Sequence, residues 1–251
     1  MENKTKLGMN LVIDAGNSLV KLAVFEGGIV RSKQQVEYAG FFEVFLEIKS
    51  HYPKITKIIL SSVSALDKSA IEKVLNNEQL LVLDCNTQMP FVNLYSTPKT
   101  LGVDRLALVA GASKLYSNKN CLIIDAGTCV TYDFLDEKGA YKGGGISPGL
   151  QLRYKSLNDH TANLPKLEAI AYDGLIGDST ENAIHAGVFN GFVSEINGII
   201  EQFSNTFGSL VVILTGGDAN FLSKRLKSSI FVDPNFLFKG LNFILDFNTS
   251  K

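Results

Sequence analysis

Along the chain, short runs of aliphatic and β-branched residues alternate with longer stretches whose apolar positions recur every three or four residues. The first pattern suits buried strands and the second suits helices with one apolar face. Residues 11–14, 19–25 and 29–36 are predicted as three successive strands separated by glycine-containing turns. The pattern then predicts a helix over 41–51, a strand over 57–63, a helix over 68–75 and a strand over 80–84. A polar loop carrying Pro90 and Pro98 leads into a helix over 103–116.

The pattern then restarts. Leu11-Val12-Ile13-Asp14-Ala15-Gly16 is answered 111 positions later by Leu122-Ile123-Ile124-Asp125-Ala126-Gly127. Each copy is followed by a polar pair, Asn17-Ser18 or Thr128-Cys129, then by a second β-rich run and another glycine turn. Further on, a strand is predicted over 141–146, a helix after Pro148, a long helix over 180–203, a strand over 210–214 and a closing helix over 236–247. Repetition of the strand–turn–strand context implies two related α/β halves, 8–117 and 118–251.

The two Asp-x-Gly turns end apolar strands, where a carboxylate is left beside backbone that can approach a phosphate. One such turn alone fits a plain hairpin; two at matching positions point to a ligand site. Lys21 sits within Leu19-Val20-Lys21-Leu22-Ala23-Val24, where a charge needs a partner, and a phosphate would serve. Gly102-Val103-Asp104-Arg105 opens a predicted helix. Asp104 could take a proton from a hydroxyl and Arg105 could grip a carboxylate or phosphate. The same two residues also fit an ordinary helix start, with Asp104 complementing the dipole. Gly143-Gly144-Gly145-Ile146-Ser147-Pro148-Gly149 and Thr215-Gly216-Gly217-Asp218 add two more loops through which backbone could meet a ligand. The GxSxG match within the first is set aside, because Pro148 lacks the N–H that a hydrolase oxyanion hole takes from the residue after serine. GxxxxGK[ST] and GxGxxG do not occur, and His51, His160 and His185 have no metal-ligand spacing.

Composition narrows the setting. A formal net charge of −1 gives no general attraction to nucleic acid or anionic membrane; the basic stretch 223–228 reads as a solvated helix face. Cys85, Cys121 and Cys129 form no CxxC pair, which points to a reducing, cytoplasmic compartment. No apolar run reaches the ~18 residues that a spanning helix needs.

Taken in order, Asp14-Ala15-Gly16-Asn17-Ser18-x-x-Lys21, Gly102-Val103-Asp104-Arg105, Asp125-Ala126-Gly127-Thr128, the Gly143–Gly149 segment and Thr215-Gly216-Gly217 resemble the type III pantothenate kinases over about residues 9 to 245. The resemblance implies an α/β fold of duplicated ribonuclease H-like domains, in the actin-like ATPase superfamily of acetate and sugar kinases, heat-shock chaperones and actin. It implies transfer of the ATP γ-phosphate to the 4′-hydroxyl of pantothenate, the first step of coenzyme A synthesis. By that resemblance Asp14, Ala15, Gly16, Asn17, Ser18, Leu19, Val20 and Lys21 form the phosphate-binding segment, and Thr128 also contacts ATP. Gly102, Val103, Asp104 and Arg105 bind pantothenate, with Asp104 as proton acceptor and Arg105 on the carboxylate; Tyr95 adds an aromatic contact. Asp125 is similar to the family's ligand for potassium or ammonium, used beside Mg2+. Thr180 matches a substrate-contacting threonine supplied across a homodimer interface, and the stripe Ile184, Val188, Phe192, Ile196 and Ile199 is expected to serve that interface. Ser18 stands where threonine is commoner and keeps the hydroxyl. A non-catalytic accessory protein and another phosphotransferase or phosphatase of the same fold are the other classes such a sequence could serve.

Overall fold

The computed structural model describes residues 8–16, 19–62, 66 and 68–249. In chain order the elements are β1 (Met9–Ala15), β2 (Val20–Glu26), β3 (Ile29–Val36), α1 (Phe41–His51), β4 (Ile55–Ser62), α2 (Lys68–Lys73), β5 (Gln79–Val82), β6 (Val92–Asn93) and α3 (Val103–Leu115). There follow β7 (Asn120–Ala126), β8 (Cys129–Leu135), β9 (Ala140–Pro148), α4 (Leu150–Asp159), α5 (Thr180–Phe207), β10 (Leu210–Thr215), α6 (Ala219–Ser223), β11 (Phe231–Val232) and α7 (Phe236–Thr249). The strand expected over 57–63 runs onto Val63, which lies outside the described residues. The basic stretch 223–228 begins on the last residue of α6 and continues as turn and loop, so it does not form a helix face.

The described residues of Met1–Leu115 and Phe236–Lys251 form one compact unit, and Tyr116–Asn235 form the other. The sheet of the first unit runs β3-β2-β1-β4-β5. Its β1–β2 and β2–β3 pairs are antiparallel, and β1–β4 and β4–β5 are parallel. In the second unit β9-β8-β7-β10-β11 repeat that order and those directions strand for strand. The repeat read from sequence is therefore a repeat of topology. A hairpin leads into a third antiparallel strand, and the parallel strands follow through helical crossovers, as parallel pairing requires.

In the first unit α1 packs Phe41, Phe45 and Ile48 against Leu11, Ile13, Leu22, Val24 and Ile58 of the sheet. On the other face Val12, Ala23, Phe25 and Ile59 meet Ala107 and Ala110 of α3 and Phe238, Leu241, Ile244 and Leu245 of α7. The closing helix therefore belongs to the first unit, where the sequence reading assigned it to the second half. Small residues cause this: a Cβ on Gly240 would lie 1.9 Å from the Ala107 carbonyl oxygen, and one on Gly111 would lie 3.4 Å from the Gly240 Cα. Only glycines let α3 and α7 approach so closely. Asn10 on β1 fixes the arrangement, donating from its side chain to Asn242 at 2.8 Å and Asp246 at 2.9 Å.

In the second unit α5 lays Phe189, Phe192, Ile196 and Ile200 over Leu122, Ile124, Val130, Val212 and Leu214. Of the stripe expected to serve a dimer, Phe192 and Ile196 are core and Ile199 packs against it, while Ile184 and Val188 pack on the same core and also line a groove. Among the described residues no helix is long and apolar enough to cross a membrane.

Candidate active site

Asp14 is the next-to-last residue of β1 and is only 6% exposed. The ladders give it two register partners, Lys21 on antiparallel β2 and Ser61 on parallel β4. Burial pushes its carboxyl up from 3.8 to about 6; the Lys21 ammonium and the Ser61 hydroxyl oppose the rise, and the Asp104 charge adds to it. The partner that Lys21 requires within this apolar strand is thus, in the folded chain, Asp14. Beyond β1, Gly16 closes the turn by donating its N–H to the Leu19 carbonyl at 3.1 Å, and the Tyr38 hydroxyl donates to the Gly16 carbonyl. Ala15 and Val20 pair across the hairpin mouth and are fully buried. Asn17 and Ser18, expected to contact phosphate, lie outside the described residues.

Asp104 stands in the first turn of α3, and its Oδ1 accepts the Arg105 N–H at 2.8 Å. Its charge reaches Asp14 and helps to raise that carboxyl, so the first unit brings the Asp14–Lys21 hairpin and the Gly102–Arg105 segment near one another. Gly102 makes room for the Asp104 carboxylate to fold back over the helix start: a Cβ there would meet Asp104 Oδ1 at 2.3 Å. Val103 packs its side chain into the α3–α7 layer. Arg105 is 5% exposed, with its guanidinium 5.6 Å from the Tyr95 ring centroid. The aromatic face and the cation attract each other, which helps to hold the buried guanidinium in place. Tyr95 is half-buried, and its N–H donates to the Asn93 side chain at 3.0 Å.

The second unit repeats the first arrangement with hydroxyls in place of charge. Asp125, next to last in β7, stands opposite Thr131 on β8 and beside Thr215 on β10. The Thr131 hydroxyl is buried without a hydrogen-bond partner among the described residues. Gly127 donates to the Cys129 carbonyl at 3.0 Å and Gly149 donates to the Thr128 carbonyl at 3.1 Å. A Cβ on Gly149 would lie 2.0 Å from the Gly127 carbonyl oxygen, so the two turns are in contact. Gly216 has φ +95°, and Asp218 donates its N–H to the Ala126 carbonyl at 3.0 Å. Thr128 is exposed at the apex.

Thr180 opens α5 after Ser179, whose hydroxyl accepts the Asn182 N–H at 3.2 Å, and it lines a groove of about 660 Å³ with Arg153, Leu157, Leu164, Gly187 and Gly191. Sequence reasoning missed Ser61, whose only signal was its place at the end of a strand parallel to β1. It also missed Arg153 and Glu195, which are paired at 2.6 Å although 42 residues apart.

A family model described as type III pantothenate kinase matches residues 10–202. A type III pantothenate kinase of Christiangramia forsetii is 49% identical over 243 residues, covering 97% of this chain and 100% of that protein. One of Flavobacterium johnsoniae is 46% identical, covering 93% and 96%. Among solved structures, a Campylobacter jejuni protein assigned to the Baf family of transcriptional activators superposes with a TM-score of 0.63 at 23% identity, covering 96% and 100%. A glucokinase from an Antarctic psychrotroph superposes with a TM-score of 0.55 at 12% identity, covering 94% and 98%. These two show the fold alone, a duplicated α/β architecture. The matched model spans most of the sequence and the relatives match it over nearly their full length, and on that evidence the chain belongs to the type III pantothenate kinase family.

Proposed function

We propose that this protein transfers the γ-phosphate of ATP to the 4′-hydroxyl of pantothenate, the first step of coenzyme A synthesis. The observation that carries the reading is the meeting, within one unit, of the buried Asp14 and Lys21 with the Gly102–Arg105 helix start. Phosphoryl transfer asks mainly for positioning and charge neutralisation. Lys21 and the backbone from Asp14 to Val20 hold phosphate oxygens, and Asn17, Ser18 and Thr128 add polar contacts to ATP. Asp104 takes the proton of the attacking hydroxyl, Arg105 holds the pantothenate carboxylate, and Gly102, Val103 and Tyr95 shape its pocket.

No three acidic, histidine or cysteine side chains cluster as a metal cage among the described residues. That suits Mg2+, which keeps several waters and is held by one or two carboxylates together with substrate phosphates. Asp14 fits such a role, because burial raises its carboxyl and the Lys21 ammonium offsets that rise only in part. When bound, the ion would neutralise charge on the phosphates. Asp125 supplies a ligand for a monovalent cation, potassium or ammonium, and the unpartnered Thr131 hydroxyl opposite it is a second oxygen suited to such an ion.

The enzyme works as a cytoplasmic homodimer in which Thr180 reaches the substrate of a second copy. The groove lined by Thr180 and by Ala183, Ile184, Gly187, Val188 and Gly191 of α5 is the surface that suits this contact. Leu175 and Ile176, ahead of Thr180, are 85% and 83% exposed and add apolar area for a second copy to cover. The function is tested by ADP release with Mg2+ and a potassium salt, with and without pantothenate. Release that depends on pantothenate is expected; release indifferent to it would assign the chain to another phosphotransferase, and none at all to an accessory protein.

A further inference from the structure

Four elements of the second unit meet at one polar cluster. Arg153 on α4 donates from Nη2 to Glu195 Oε2 on α5 at 2.6 Å and to Ser147 Oγ at 2.9 Å, and from Nε to the Pro148 carbonyl at 2.9 Å. Tyr132 on β8 donates its hydroxyl to Glu195 Oε1 at 3.0 Å. The guanidinium lies 4.9 Å from the centroid of the Phe192 ring, which is fully buried. Burial disfavours the Glu195 charge, yet hydrogen bonds from Ser147 and Arg153 hold its carboxyl below the usual range. It therefore stays ionised, with both oxygens engaged.

This cluster grips the end of β9. Cys129 faces Pro148 in the β8–β9 ladder at a pair that exchanges no hydrogen bonds, because the adjoining Thr128–Gly149 pair is the bonded one. The Pro148 carbonyl therefore points away from β8, where Arg153 Nε takes it while Nη2 fixes the neighbouring Ser147. The next residue, Gly149, donates to the Thr128 carbonyl at 3.1 Å, and a Cβ on it would stand 2.5 Å from that oxygen. Displacement of Ser147 or Pro148 is thereby passed on to the Thr128 turn without slack.

We propose that Arg153, Glu195 and Tyr132 are positioning residues for the nucleotide phosphates, acting through the Ser147–Gly149 segment on the turn that carries Thr128. The inference rests on the assignment of Thr128 to ATP. Outer hydrogen-bond partners of this kind orient the groups that touch the ligand without touching it themselves.

The test is steady-state kinetics of the full chain with each substrate varied in turn, with melting points for every variant. Thr128→Ala serves as the reference and is expected to raise KM for ATP. Glu195→Ala should raise KM for ATP about tenfold, with kcat and KM for pantothenate changed less than about threefold. Arg153→Lys should behave like Glu195→Ala, because a lysine keeps the charge but cannot reach Ser147, Pro148 and Glu195 together. Tyr132→Phe removes one hydroxyl and should give a smaller rise of the same kind, which keeps the test open if Glu195→Ala fails to fold. If Thr128→Ala raises KM for ATP while Glu195→Ala and Tyr132→Phe leave it within twofold, the positioning role is wrong. Equal rises in both KM values would make the cluster a plain stabiliser and overturn it as well. An unchanged KM for ATP in Thr128→Ala removes the role of Thr128, and this inference with it.

Discussion

Replacing Asp14 with asparagine should make the ligand-free protein more stable while abolishing its activity. The carboxylate is almost wholly buried, and its rise from 3.8 to about 6 means that holding it ionised at neutral pH costs about 3 kcal/mol. Asparagine has the same shape and no charge to desolvate. Lys21 loses its partner in the variant, which trims the gain, so about 1–3 kcal/mol is expected, or roughly 3–10 °C in the melting point of a chain this long. The sign with pH follows from linkage. A carboxyl raised in the folded state stabilises fully below its unfolded value of 3.8, and that contribution is lost as pH rises through about 6. The advantage of Asp14→Asn should therefore be absent below about pH 3.5, grow between about pH 4 and 6, and level off above about pH 6.5. Melting curves of both proteins across that range, without ATP or Mg2+, measure the difference directly. Glu78, Asp84 and Asp136 are held below their ordinary values and titrate in both proteins alike. A variant that melts below the wild type at pH 7, or a difference that does not change between about pH 4 and 6, would refute the reasoning.

Asp104→Asn keeps an acceptor for the Arg105 N–H and removes the base; kcat should fall ~10²–10⁴-fold, nearer the lower limit for a loose transition state. Its melting point should move little, since a helix-end charge is worth about 0.3–1 kcal/mol, and a variant within threefold of wild-type kcat would exclude Asp104 as base. Gly216→Ala forces a Cβ to within 2.2 Å of the Ala126 carbonyl oxygen at φ +95°, and should cost about 2 kcal/mol or more in a denaturant titration; an unperturbed midpoint would show that the turn can relax. At constant ionic strength activity should rise with potassium or ammonium, and equal rates in sodium alone would remove the cation role of Asp125. Light scattering at assay concentration should give the mass of two chains; a fully active monomer would dispose of the shared Thr180 site.

The duplicated fold was legible because a strand and its turn were copied in sequence, and because the copied residues, Asp14 and Asp125, are where each sheet changes from antiparallel to parallel neighbours. Local periodicity likewise gave α1 its observed bounds and placed Asp104 and Arg105 at a helix start. Ownership of α7 was not legible. Its apolar face announces burial, but only the close approach of Gly240 to Ala107 decides which sheet it covers, and that is a tertiary contact. The use of the α5 stripe was not legible for a related reason: the same helical spacing serves a core or an interface, and here Phe192 and Ile196 are core while Ile184 and Val188 also line a groove. Ser61 and the Arg153–Glu195 pair escaped because their meaning depends on partners far along the chain.

The α3–α7 crossing also bears on how the protein is made. Strands β1 and β2 lie near the start of the chain, yet one face of their sheet is covered by side chains between Phe236 and Leu245. During synthesis the second unit, continuous from Tyr116 to Asn235, can close as soon as it leaves the ribosome, whereas the first must wait with Val12, Phe25 and Ile59 uncovered. Contacts spanning more than two hundred residues form late because the loop they close is long. The portion translated first is therefore the last to finish folding, and over that interval its bare apolar face is the part of the nascent chain most exposed to misassembly or chaperone capture.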